Sequence, residues 1–186
     1  MGGSTENPTY HNLGDHIETV EVDFDPSVIS YGELLDVFWA SHDPRERTRK
    51  RQYMSAIFTR SDEQKKLAIG SRSREAARRN GRISTEILPA SRFYLAEEYH
   101  QKYMLRGRPE IMKEYEAMYP SLSDLLASRA VTRVNGYVAG NGTCDSLRGE
   151  IGGLGLSPAG RKRLEDIVCP HDAQKGRSIG AACPAG

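Results

Sequence analysis

Polar and apolar residues alternate from Thr19 to Asp25, with Val20, Val22 and Phe24 on one side and Glu21 and Asp23 on the other. That period of two predicts a half-buried strand, ended by Asp25-Pro26. The period then lengthens. Ser30, with Glu33 three residues on, is a capping-box signature, and Leu34, Leu35, Val37, Phe38 and Trp39 mark the buried side of a helix. It stops near His42-Asp43-Pro44, where proline restricts the residue before it. Alternation returns at Gln52 to Thr59 and at Ile83 to Leu88, the second and third predicted strands. Between them, Ser61-Asp62-Glu63-Gln64 caps a long Arg- and Lys-rich helix running to about Asn80-Gly81, with Gly81 expected at the C′ position. The dense aromatic run from Phe93 to Tyr103 predicts core packing, with His100 as a hydrogen-bonded structural histidine. Further helices are predicted at Glu110 to Tyr119, Ser123 to Val134 and Ser157 to Val168. Asn135 to Gly142 reads as a flexible glycine-rich loop, and the tail from Pro170 as disordered.

Composition narrows the classes. The sequence of 186 residues carries 26 Lys and Arg against 25 Asp and Glu, so bulk electrostatics points to neither nucleic acid nor a membrane surface. No apolar run approaches the roughly 18 residues of a membrane span. The start, Met1-Gly2-Gly3-Ser4-Thr5, has no basic region and no apolar core, and is not expected to be a secretory signal. The three cysteines, Cys144, Cys169 and Cys183, are odd in number, widely spaced and late. They do not read as a disulfide framework, and reduced thiols in the cytoplasm are the expectation. No Cys or His stands at metal spacing from His100, and no bound metal or cofactor is expected.

Candidate chemistry concentrates near the start. Tyr10 offers a phenol and Glu18 a group that can give or take a proton, just ahead of the first alternating stretch. Taken by residue type alone, Glu18 is a solvated charge, and Tyr10 and Tyr53 are turn or strand residues. The run Arg45 to Arg51 (Arg45, Arg47, Arg49, Lys50 and Arg51, with Glu46 among them) is a solvated basic loop or one that recruits a charged partner. A nucleophile is missing from this neighbourhood, since the first cysteine is Cys144.

Several motifs nevertheless stand in one order: Gly2-Gly3, Asn7-Pro8-Thr9-Tyr10, His16-x-Glu18, Phe24-Asp25-Pro26 and Ile29-Ser30-Tyr31, then Leu34-Leu35-x-x-Phe38-Trp39-x-x-His42-Asp43-Pro44, Arg51-Gln52-Tyr53-x-Ser55-Ala56-Ile57, Thr85-Glu86-Ile87 and Phe93-Tyr94-x-Ala96-Glu97-x-Tyr99-His100-Gln101. Together they resemble the A-type peptide methionine sulfoxide reductases over roughly residues 2 to 105.

The resemblance implies an α/β (α+β) fold, a two-layer sandwich with a ferredoxin-like core. It also implies reduction of methionine-S-sulfoxide, in proteins or free, to methionine. A cysteine thiolate attacks the sulfoxide sulfur, Glu18 is the acid that protonates the oxygen, and Tyr10 and Tyr53 hold that oxygen. A second thiol resolves the sulfenic acid, for which Cys144 and Cys183 are candidates and Cys169 is the weakest. Thioredoxin, or dithiothreitol in its place, returns the electrons. The family's Gly-Cys-Phe-Trp-Gly nucleophile motif does not occur in this sequence, so its first strand and helix are expected to be missing. The loop between Pro44 and Tyr53 is shorter than in common members, and Glu46 is the candidate for its aspartate. The expected organisation is a reductase-like domain at 1–106, a helical extension at 107–168 and a tail at 169–186. Three readings stay open: a shortened form of a reductase, inactive or weak by itself; a non-catalytic isoform that binds methionine sulfoxide or a protein partner; and an interaction module. A monomer in the cytoplasm is expected, with mitochondrial or nuclear placement as alternatives.

Overall fold

Ser30 and Glu33 cap each other in the computed structural model, which describes residues 1–169. Ser30 N donates to Glu33 Oε2 at 2.8 Å and Glu33 N donates to Ser30 Oγ at 3.2 Å, which starts helix α1 (Tyr31–Ala40) where the sequence places it. Strand β1 (Ala56–Thr59), helix α2 (Asp62–Arg78) and strand β2 (Glu86–Pro89) follow as a β-α-β unit. The two strands are parallel, with Ile57 opposite Ile87. Leu35 and Trp39 of α1, Ile57 of β1 and Ala68 of α2 form a core, closed by Tyr31, Phe38, Ile83 and Ile87. Trp39 buries its ring and donates Nε1–H to Ser71 Oγ at 3.0 Å, which in turn donates to Ala68 O at 2.9 Å. This satisfies the indole donor that burial would otherwise leave unpaired. The mixed α/β class is the one the family resemblance implies.

Three details of this unit differ from expectation. Helix α2 closes through Asn80, at φ +48°, rather than through Gly81. Asn80 N donates to Ala77 O at 3.3 Å and Gly81 N to Ala76 O at 3.2 Å, the paired bonds of a Schellman end. Asparagine tolerates the left-handed region, so the glycine is displaced one position. Thr19 to Asp25 is extended but joins no ladder, and Val20 is 86% exposed. Alternation marks a strand only where a neighbour accepts its hydrogen bonds, and among the described residues the sheet consists of β1 and β2. The predicted second strand likewise shortens, because Arg51–Tyr53 turns as a 3₁₀ segment.

Glu75 is buried on α2 and accepts from both Arg78 and Arg79, while Arg79 also donates to Trp39 O at 3.3 Å. The Arg78 guanidinium, followed by that of Arg79, pulls the Glu75 carboxyl from 4.5 down to about 2. An unfolded chain therefore binds this proton first. The stabilisation is complete above the ordinary carboxylate range and is lost as pH falls toward about 2. Thermal midpoints measured from pH 6 down should fall across that window, and Glu75→Gln should flatten the fall. Parallel curves for the two proteins would remove Glu75 from the account.

The chain divides between Leu95 and Ala96 into two compact units. The second is all helical over its described part: α3 (Tyr103–Arg106), α4 (Pro109–Met118), α5 (Leu122–Ala127), α6 (Arg129–Val138), α7 (Cys144–Glu150) and α8 (Pro158–Val168). Ser121, Ser128, Thr143 and Ser157 each cap the helix that follows, and Pro158 opens α8 as predicted. Leu105, Ile111, Tyr115, Val131, Val134, Leu147 and Leu164 fill its core. Tyr115 donates its hydroxyl to Leu154 O at 2.8 Å, and burial pushes that phenol upward.

Four expectations change here. The predicted glycine-rich loop is helical through Val138, and only the turn from Ala139 to Gly142 leaves the helix. Gly140, at φ +86°, permits this turn, and Asn141 N closes it onto Gly136 O at 2.9 Å. Helix α7 had no strong period in the sequence; its start comes from the Thr143–Ser146 capping box. The aromatic run is not core, since Tyr99 and Tyr103 are exposed. A 3₁₀ turn at Glu98–His100 and the one-turn helix α3 send Leu105 alone fully inward. Finally, Cys144 and Cys169 form a disulfide with Cα atoms 5.3 Å apart, where reduced thiols were expected. The helical fold brings the start of α7 to the end of α8, a juxtaposition that cysteine spacing does not reveal. The tail from Pro170, with Cys183, lies outside the described residues.

Candidate active site

The first 18 residues carry no helix or strand, and side chains hold them in place. Asp15 accepts from Ser4 N at 2.8 Å and Thr5 N at 3.3 Å, as well as from both hydroxyls. The Ser4 backbone bond is the main cause that draws the Asp15 carboxyl down to about 2. Gly14 turns at φ +62°, where a Cβ would strike Thr5. His16, 1% exposed, accepts Gly3 N–H on Nδ1 at 3.3 Å and meets Thr5 O with Nε2 at 2.7 Å. A carbonyl only accepts, so the proton sits on Nε2. Ile17 is buried beside it and donates its N–H to Met1 O at 3.0 Å.

This scaffold delivers Glu18. Its backbone N donates to Gln52 O at 3.0 Å, and its Oε1 accepts from Gln52 Nε2 at 3.1 Å. Arg51 Nε adds a bond to Asp15 O at 2.8 Å. The loop therefore joins the Arg51–Tyr53 turn through these three hydrogen bonds at two successive residues, and the Glu18 carboxyl stands exposed beside the residue preceding Tyr53. Tyr53 is 52% exposed, with Lys50 Nζ 5.9 Å from its ring centroid. Tyr10 is 47% exposed on the separate Thr9–Asn12 turn, its ring meeting His11 edge-on at 5.4 Å. Phenol and carboxyl groups are of the types that bind and protonate a polarised oxygen, and the structure ties Glu18 to the turn that carries Tyr53 while Tyr10 stands on a turn of its own.

Of the sequence candidates, Glu18 is tied directly to the 51–53 turn, and Tyr10 and Tyr53 are each solvent-accessible. Cys144 belongs to the helical unit and is bonded to Cys169; Cys183 lies outside the described residues. Sequence reasoning passes over Gln52, which orients Glu18, and over Asp15 and Arg51, which brace it. It also misses a groove of about 470 Å³ bordered by Tyr53, His42 and Thr85. Among the described residues no cluster of three His, Cys, Asp or Glu side chains is arranged to hold a metal ion. No described helix is long and apolar enough to cross a membrane.

A family model for peptide methionine sulfoxide reductase matches residues 1–128. A peptide methionine sulfoxide reductase of Drosophila melanogaster is 40% identical over 184 residues, which is 98% of this chain and 72% of the fly protein. MsrA of Methanothermobacter thermautotrophicus is 52% identical over 115 residues, 56% of this chain and 68% of its own length. The A5 reductase of Arabidopsis thaliana is 42% identical over 144 residues, and this chain spans 56% of it.

Proposed function

The chain belongs to the peptide methionine sulfoxide reductase family, and from that membership we propose that it carries the acid and oxygen-binding side of a methionine-S-sulfoxide reductase site. The pairing of Glu18 with Gln52, one residue before Tyr53, is the observation that supports this most. Substrates are proteins containing methionine sulfoxide, or the free amino acid. As a thiolate attacks the sulfoxide sulfur, the S–O electron pair moves to oxygen, which takes the Glu18 proton while Tyr10 and Tyr53 donate hydrogen bonds to it. Collapse leaves methionine and a sulfenic acid, the oxygen having passed to the attacking cysteine. A second thiol then expels water to form a disulfide, and a dithiol such as thioredoxin supplies the two electrons and two protons that reduce it. No metal or cofactor takes part in this reading.

The sequence carries no cysteine before Cys144, which is bonded to Cys169, and Cys183 lies outside the described residues. With both described cysteines bonded to each other, the 186-residue chain by itself is expected to bind methionine sulfoxide and to turn it over weakly or not at all. With dithiothreitol present, the purified chain should release no methionine from a methionine-S-sulfoxide peptide above the blank. It should still bind the S epimer in preference to the R epimer and to the unoxidised peptide. Tyr53→Phe should weaken that binding about fivefold, the loss of one hydrogen bond worth roughly 1 kcal/mol. Turnover that disappears with Cys183→Ser would overturn the inactivity, and equal affinity for all three peptides would overturn the site.

A further inference from the structure

The groove beside Tyr53 has an unusual charge balance. Arg47, Arg72 and Arg82 line it, and none of them makes an ion pair among the described residues. Other arginines nearby are committed: Arg45 to Asp43, and Arg78 and Arg79 to Glu75. Of the carboxylates that line the same groove, Asp43 is held by Arg45, whereas Glu46 and Glu86 are exposed. The three guanidiniums without ion pairs outnumber Glu46 and Glu86, the carboxylates without ion pairs among the described residues at the same concave surface, and an anion seated there neutralises the excess positive charge. The planar fork of arginine matches a carboxylate best.

Two buried polar atoms extend the pattern. Thr85 is 2% exposed and its Oγ1 has no hydrogen-bond partner among the described residues. His42 Nδ1 meets Phe38 O at 2.9 Å, so the proton is on Nδ1, and Nε2 is left buried and unpartnered as an acceptor. Buried groups of this kind mark a missing partner. The groove thus offers a hydroxyl and guanidinium donors for an anion, and an acceptor for an N–H. A peptide bearing a carboxylate side chain supplies both, whereas an inorganic oxyanion supplies only the first.

We propose that this groove binds the side chain of an acidic residue flanking the methionine sulfoxide of a protein substrate. The proposal rests on the reading of Tyr53 as part of the sulfoxide site, since Tyr53 also borders the groove. Calorimetric titration of the 186-residue chain at low salt tests it with three short peptides. One has methionine-S-sulfoxide beside Asp, one has Asn in place of Asp, and one has unoxidised methionine beside Asp. The Asp sulfoxide peptide should bind about tenfold more tightly than the Asn peptide, a gap that narrows as salt rises. Arg72→Gln combined with Arg82→Gln should abolish the gap and leave the Asn peptide unchanged. Thr85→Val, which keeps the shape of the side chain, should reduce the gap without changing the fold. Equal affinity for the Asp and Asn peptides overturns the groove. So does displacement by inorganic phosphate at concentrations below the Asp peptide's own Kd. A preference for Asp that persists while oxidation of methionine adds nothing sustains the groove and overturns the sulfoxide site.

Discussion

Reduction of the Cys144–Cys169 disulfide lowers the stability of the helical unit by about 3.5 kcal/mol. The bond closes a loop of 25 residues, and the chain-entropy account of such a loop gives about that figure. Cys169 is 6% exposed and packs as a small apolar group once reduced, so the native contacts of α8 survive and the change falls mainly on the unfolded chain. Leu147 and Leu164, both fully buried, keep α7 and α8 in the core after reduction. Urea titrations with and without dithiothreitol, followed by helical circular dichroism, should show a lower midpoint in the reduced protein. The unit at 1–95 contains no cysteine, and the fluorescence of Trp39, the single tryptophan, should report an unchanged transition there. Coincident midpoints in the helical signal would mean that the packing of the six helices, not the bond, limits unfolding. The result also bears on the turnover assay, because its reductant acts on this bond too.

Glu18→Gln lowers sulfoxide reduction by about 10²- to 10⁴-fold once a thiolate is presented to the site, the range expected for loss of a positioned general acid. A chain with the Gly-Cys-Phe-Trp-Gly segment joined ahead of Met1 provides the thiolate for this measurement. The substitution is isosteric, and a glutamine oxygen still accepts from Gln52 Nε2, so the 51–53 turn stays in place. The loss should appear in kcat, with substrate binding little affected, because the proton is needed only as the S–O bond breaks. Gln52→Ala should produce a smaller fall through misorientation of Glu18, one that Gln52→Asn partly restores. A loss of less than tenfold for Glu18→Gln would assign the proton to another group, with Tyr10 and Tyr53 the next to replace.

Much of this molecule is written in short-range signals. Ser30 with Glu33, Ser61 before Asp62 and Ser157 before Pro158 each place a helix start within one residue of the observed one. The capping atoms and the amides they serve lie within three positions of one another, so neighbouring residues suffice to specify them. Where tertiary context intervenes, the same kind of signal loses its meaning. The alternation at Thr19 to Asp25 is as regular as that at Ala56 to Thr59, yet only the latter pairs, through Ile57 and Ile87. The glycines after Asn135 suggest a loop, but Val131, Val134 and Val138 bury one face of α6 and carry the helix past Gly136.

By itself the sequence determined several of the helix starts, and through ordered motifs rather than through periodicity it pointed to the α/β class and to Glu18, Tyr10 and Tyr53 as candidates. The tertiary structure decided which residues stand beside them. Gln52 meets Glu18 across 34 positions, Cys144 meets Cys169 across 25, and the groove draws on the loop after α1, on α2 and on the approach to β2. Each of these contacts depends on where the chain returns after a long excursion. That return is set by the burial of Leu35, Trp39 and Ile57 in one unit and of Leu105, Val134 and Leu164 in the other, and no local spacing encodes it.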